Sequence, residues 1–104
     1  MNKEEIYEIS FQLILHSGNA RSLSMEAIYE AKNGNIDGAR EKICEAEMEF
    51  NKAHRFQTEL IQGEASGEAH DIPILLIHAQ DHLMNALTVK DMATEFIELY
   101  KKLS

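Results

Sequence analysis

Asn35-Ile36-Asp37-Gly38-Ala39-Arg40-Glu41-Lys42-Ile43-Cys44-Glu45-Ala46-Glu47-Met48-Glu49-Phe50 decides the fold class of this chain. Ile36, Ala39, Ile43, Ala46 and Phe50 recur at steps of three and four, and the series runs on through Ala53, Gln57 and Leu60. Residues three and four apart share one face of a helix. The series is therefore an apolar seam of the heptad kind, made to pack against other helices. Glu41, Lys42, Glu45 and Glu49 fill the other faces. Asn35 is placed to cap this helix, which is expected to end near Gln62. Gln57 is the one polar member of the seam. It is either a core polar group or a residue that reaches a functional pocket.

The same pattern extends in both directions. Upstream, Ile6, Ile9, Leu13, His16, Ala20, Leu23 and Ala27 form a second seam. Asn2 is its cap and Glu5 holds the capping-box position. Gly18 and Asn19 lie inside it, where a kink is expected. Asn33-Gly34 is a left-handed stop. Downstream, Gly63 to Asp71 is a loop with two glycines and no periodicity. Asp71 is expected to cap a third helix, with Pro73 in its first turn. The expected helices span about 3–32, 36–62 and 72–102. No strand pattern, internal repeat or low-complexity tract is present. Short connections make neighbouring helices antiparallel, so residues 1–104 read as a single all-α domain, an up-down-up three-helix bundle.

The third helix has apolar residues on more than one face. Leu76, Leu83 and Leu87 fall opposite His78, whereas Val89, Met92, Phe96 and Tyr100 fall on the His78 side. A helix apolar on several faces is buried on several faces. One small three-helix chain supplies that poorly, so self-association is expected, with His78, Asp81, His82 and Asn85 close to the contact. Met48, Met84 and Met92 are expected in the core.

Composition removes several function classes. The 104 residues hold 18 acidic and 10 basic side chains, a formal charge of -8. That balance disfavours a nucleic-acid partner, whose phosphates require Lys and Arg. Cys44 is the only cysteine, so no intrachain disulfide forms, and Cys44 is expected to be a small packing residue. The segment Met1-Asn2-Lys3-Glu4-Glu5 does not resemble a signal peptide. The longest apolar run, Ile74 to Ile77, is far too short to span a membrane. A cytoplasmic protein with no membrane insertion is expected.

Chemistry concentrates in His78-Ala79-Gln80-Asp81-His82-Leu83-Met84. His78 and His82 stand one turn apart on one face, with Asp81 beside them. Three readings compete. The bland one is a solvated polar patch. The second is metal binding: two histidines four apart share a metal in helical sites, but a third ligand from Asp81 fans away, and no matching Glu-x-x-His appears elsewhere. The third is phosphoryl transfer, since neutral imidazole is a nucleophile and a phosphohistidine passes its group onward. His82 would then bond phosphoryl oxygens. Asp81 would repel a phosphoryl group, so its role lies elsewhere. His16, in a seam, is expected to be a buried hydrogen-bonded histidine. Gln80 points away from the His78 face and reads as structural. His54 and His70 read as solvent or loop residues.

This segment resembles the signature of the lactose/cellobiose-type enzyme IIA components of the bacterial phosphoenolpyruvate-dependent sugar phosphotransferase system. The resemblance extends to Ser17-Gly18-Asn19-Ala20-Arg21-Ser22, Met25-Glu26-Ala27, Gly34-Asn35, Ala39, Ala46, Gln57-Thr58, Gly63-Glu64-Ala65 and Leu99-Tyr100. It implies that His78 accepts a phosphoryl group from phospho-HPr and donates it to a cysteine of the IIB component, which serves the membrane IIC component. It implies a homotrimer of nine helices, His82 as pocket partner of His78, and Asp81 from three subunits around a divalent cation, Mg²⁺ or another. The expected sugars are disaccharides of the lactose, cellobiose and chitobiose class. The rival readings are a histidine-phosphotransfer domain of two-component signalling, which would present a lone histidine on four helices, and a non-catalytic metal-binding helical adaptor.

Overall fold

The computed structural model describes residues 1–104. Three helices carry most of the chain: α1 (Lys3–Lys32), α2 (Ile36–Ala65) and α3 (Ile74–Leu103), of 30 residues each. The bundle is 53 Å long. One cluster of the core joins Ile6, Ile9 and Leu13 to Ala53 and Leu60 and to Leu76, Ala79 and Leu83. The other joins Ala27 and Ala31 to Ala39 and Ile43 and to Ala93 and Ile97. The start of α1 thus meets the end of α2 and the start of α3. That is the up-down-up order expected from the short connections. α1 packs broadly on both neighbours, while α2 and α3 touch each other much less.

The helix ends follow local chemistry. Asn2 Oδ1 accepts from the Glu5 N–H at 2.8 Å, and Asn35 Oδ1 accepts from the Gly38 N–H at 3.0 Å. Each satisfies one of the free N–H groups of a first turn. Gly38 leaves room for that cap, because a Cβ there would collide with the Asn35 amide. Gly34 adopts φ +88°, and the Asn35 N–H reaches back to Glu30 O at 2.9 Å. Only glycine enters that left-handed conformation without strain.

Several expectations are corrected. α2 continues past Gln62 to Ala65 and closes on Gly67 at φ +95°. Asp71 does not cap α3: Pro73 is the cap residue, and no side chain bonds to the first turn. Its carbonyl instead accepts from the Leu76 and Ile77 N–H groups. α1 runs through Gly18 and Asn19 without a break. Met48, Met84 and Met92 are exposed, not core, and Cys44 is exposed as well. All four sit on faces turned away from the bundle interior.

Buried serines are the other departure. Ser10, Ser17 and Ser24 are fully buried and seven residues apart, as are Ala79, Ala86 and Ala93 on α3. A seven-residue spacing puts each set on one line along its helix. Ser10 and Ser24 satisfy their hydroxyls on the carbonyls of Ile6 and Ala20, at 2.7 and 2.8 Å. Ser17 Oγ has no protein partner.

Candidate functional site

The histidine segment lies in the first third of α3, a stretch whose rotation is set by what it buries. Leu76, Ala79, Leu83 and Ala86 face the core. His78 is left exposed and His82 half-buried at the edge of that face. Their Nε2 atoms are 3.0 Å apart, and the rings meet edge to face with centroids at 4.4 Å. One Nε2 donates and the other accepts, so the two nitrogens share one proton. No other side chain hydrogen-bonds to either ring. The expected pairing of the two imidazoles is therefore present, with Asp81 next to it.

Asp81 points elsewhere. It is exposed, and it makes no ion pair or side-chain hydrogen bond within the chain. It lies about 60° around the helix from His78. There it falls in a line of uncovered side chains: Ile74 (82% exposed), Ile77 (58%), Asp81, Met84 (53%), Thr88, Met92, Leu99 and Leu103. These again recur mostly at steps of three and four. The second apolar face of α3 is thus real, but it centres on Asp81 and not on His78. Val89 and Tyr100, expected on the uncovered side, are half-buried, and Tyr100 packs on the core. Apolar side chains at this exposure along one helix mark a contact face.

No three His, Cys, Asp or Glu side chains of one chain converge to hold a metal. Asp81 can supply only one carboxylate per chain.

Gln57 and Gln80 find each other. Gln57 Nε2 donates to Gln80 Oε1 at 2.9 Å across the α2–α3 seam, and both side chains are half-buried. Gln57 is a seam residue bonded to a neighbouring helix, and it bonds neither histidine. Gln80 is structural, as its position opposite His78 suggests. Sequence spacing placed each on a face but did not pair them.

His16 is half-buried, stacked on Phe56 at 6.2 Å, with Nδ1 3.4 Å from Glu49 Oε2. The expectation of a hydrogen-bonded core histidine is met only in part. The two atoms are close enough to attract but are not aligned as a hydrogen bond. Asn19 Nδ2 donates to Glu49 Oε1 at 2.7 Å, and Lys52 Nζ lies 3.1 Å from Glu49 Oε2. Burial opposes ionisation of Glu49, but Asn19, Lys52 and His16 together outweigh it and hold the carboxyl below its ordinary value of 4.5. A carboxylate with a depressed pKa stabilises the fold above its unfolded pKa, and that contribution is lost as pH falls through the folded value. Glu49→Gln should accordingly melt below wild type near neutral pH, with the gap closing as pH drops below 4.5. A gap independent of pH would show that the ionised form is not what stabilises. His54 is exposed and stacked on Phe50 at 6.1 Å. His70 sits half-buried in the α2–α3 connection.

No helix is long and apolar enough to cross a membrane. The model of the family described as PTS system, Lactose/Cellobiose specific IIA subunit, matches residues 8–101. The lichenan-specific phosphotransferase enzyme IIA component of Bacillus subtilis is 58% identical over 97% of this chain and 92% of its own. The crystal structure of the PTS cellobiose specific enzyme IIA from Bacillus anthracis superposes with a TM-score of 0.93 at 59% identity, covering 99% of this chain and 93% of that one. The solution structure of the IIA(chitobiose)–HPr complex from the Escherichia coli phosphotransferase system superposes with a TM-score of 0.81 at 39% identity, covering 94% and 95%. A three-helix chain with paired histidines on its third helix, matched end to end in these comparisons, belongs to the lactose/cellobiose-specific IIA family of the sugar phosphotransferase system.

Proposed function

We propose that His78 is the phosphohistidine of this IIA component, taking its phosphoryl group from phospho-HPr and passing it to the cysteine of a IIB component. The membrane IIC component then delivers a disaccharide of the lactose, cellobiose or chitobiose class to that phosphoryl group. The exposed His78 ring, with His82 Nε2 at 3.0 Å, carries this reading. It is open to a protein donor, and it has one neighbour with a movable N–H. When the His78 lone pair forms the new N–P bond, the bond to the donor breaks with its electron pair. The His82 N–H must leave that lone pair before the bond forms, and it is then free to donate to a phosphoryl oxygen. Transfer of this kind depends on positioning and charge stabilisation, and a packed helix supplies the positioning. The HPr partner is suggested by the complex of the Escherichia coli chitobiose relative. Cytoplasmic location follows from that partner.

The reading includes three copies of the chain, with the Asp81 line of α3 facing inward. Asp81 is an unpaired carboxylate among Ile74, Ile77 and Met84. Burying such groups against one another is costly unless something neutralises them. The donor set suits a hard divalent cation such as Mg²⁺, whose preferred ligands are carboxylate oxygens. When bound, the ion would offset three carboxylates at a shared axis. Asp81→Leu should then keep or strengthen the trimer, because leucine continues the apolar line. Sedimentation or light scattering of the variant as a monomer would refute that placement of Asp81.

The deciding experiment incubates the chain with phosphoenolpyruvate, enzyme I and HPr and reads its intact mass. One added, acid-labile phosphoryl group is expected. No added mass with active HPr present would overturn the phosphocarrier reading.

A further inference from the structure

We infer that Gln57 is a positioning residue for the His78–His82 pair, acting through Gln80 on the rotation of α3. The inference rests on the reading of His78 as the phosphoryl acceptor.

Neither imidazole hydrogen-bonds to α1 or α2; each is hydrogen-bonded only to the other. Their placement therefore depends on how α3 is rolled about its own axis. On the α1 side, broad packing of the two helices limits that roll. On the α2 side the packing is sparser. Two side-chain hydrogen bonds span α2 and α3. One is Arg40 to Glu98 at 3.1 Å, near the far end of α3 and about half exposed, where water competes for both groups. The other is Gln57 to Gln80 at 2.9 Å, half-buried and sheltered from that competition. Gln80 lies between the two histidines in sequence and projects about 160° from His78 around the helix. A roll of α3 that breaks the amide bond on one side swings both rings on the other. Together with the packing of the Asp81 line in the proposed trimer, the amide pair therefore sets the angle at which the imidazoles meet an incoming donor.

Gln57→Met keeps the volume and length of the side chain and removes its donor. Gln57→Leu does the same with a different shape. Gln57→Glu restores a bond, because the Gln80 amide turns over and donates its N–H to the carboxylate. Phosphorylation of the wild-type chain at His78 is established first; its absence would be a failure of the phosphocarrier reading and not of this one. Rates of transfer from phospho-HPr are then measured at saturating and at limiting donor. Gln57→Met and Gln57→Leu should slow the saturated rate about tenfold with the half-saturating donor concentration unchanged, and Gln57→Glu should return to within about twofold of wild type. Wild-type speed in Gln57→Met, a Gln57→Glu variant as slow as Gln57→Met, or an effect confined to the half-saturating concentration would overturn the inference. So would loss of the cooperative thermal transition in both Gln57→Met and Gln57→Leu, which would make Gln57 a residue of the fold alone.

Discussion

His78→Ala should abolish phosphoryl acceptance while leaving the bundle intact. The ring is exposed, hydrogen-bonds only to His82, and belongs to neither core cluster. Truncation on such a surface changes stability by about 0.5 kcal/mol or less, and alanine is a better helix former than histidine. The loss of function, by contrast, should be complete, since no second group stands where the lone pair of His78 stands. His82→Ala should behave differently, slowing transfer without ending it, because it removes the N–H and keeps the nucleophile. Intact mass and circular dichroism on the two variants separate these roles. A phosphorylated His78→Ala chain would move the acceptor to His82 or to another histidine.

Leu83→Ala should be the most damaging single truncation near the site. Leu83 is 1% exposed and belongs to the cluster that ties α1, α2 and α3 together at the histidine end of the bundle. A buried leucine cut to alanine costs about 2–5 kcal/mol through lost transfer energy and the cavity left behind. For a chain of this size that lowers Tm by on the order of 10 °C or more. Met84→Ala is the natural comparison. Its side chain is the next one along and is half exposed, so in the isolated chain its loss should be nearly neutral. Urea unfolding of both variants checks the contrast. Equal effects would place Met84 at a contact between copies, as in the proposed trimer.

The contrast between Leu83 and Met84 also shows where sequence reading reaches its limit. Periodicity shows that α3 is apolar on more than one face, because a helix repeats every 3.6 residues whatever it packs against, but it centres the second line on His78 and not on Asp81. Which line is covered depends on the partner surface, and that is a property of three helices at once. The α1 serines teach the same lesson. Serine is usually exposed, so residue type alone puts Ser10, Ser17 and Ser24 at the surface, yet they recur every seven residues and are fully buried. Asp71 is a cap by residue type alone, whereas the proline two residues later sets the actual helix start.

By itself, the sequence determined that the chain is three helices, that Asn2 and Asn35 cap two of them, and that His78 and His82 share a face. These follow from local spacing and local hydrogen bonding, which act within a few residues. The tertiary structure alone decided that Asp81 falls in an uncovered apolar line, that Gln57 meets Gln80, and that Glu49 gathers Asn19, Lys52 and His16. Those outcomes depend on the relative roll of packed helices. Roll is set by the summed fit of many side chains from different helices, so no stretch of one helix encodes it.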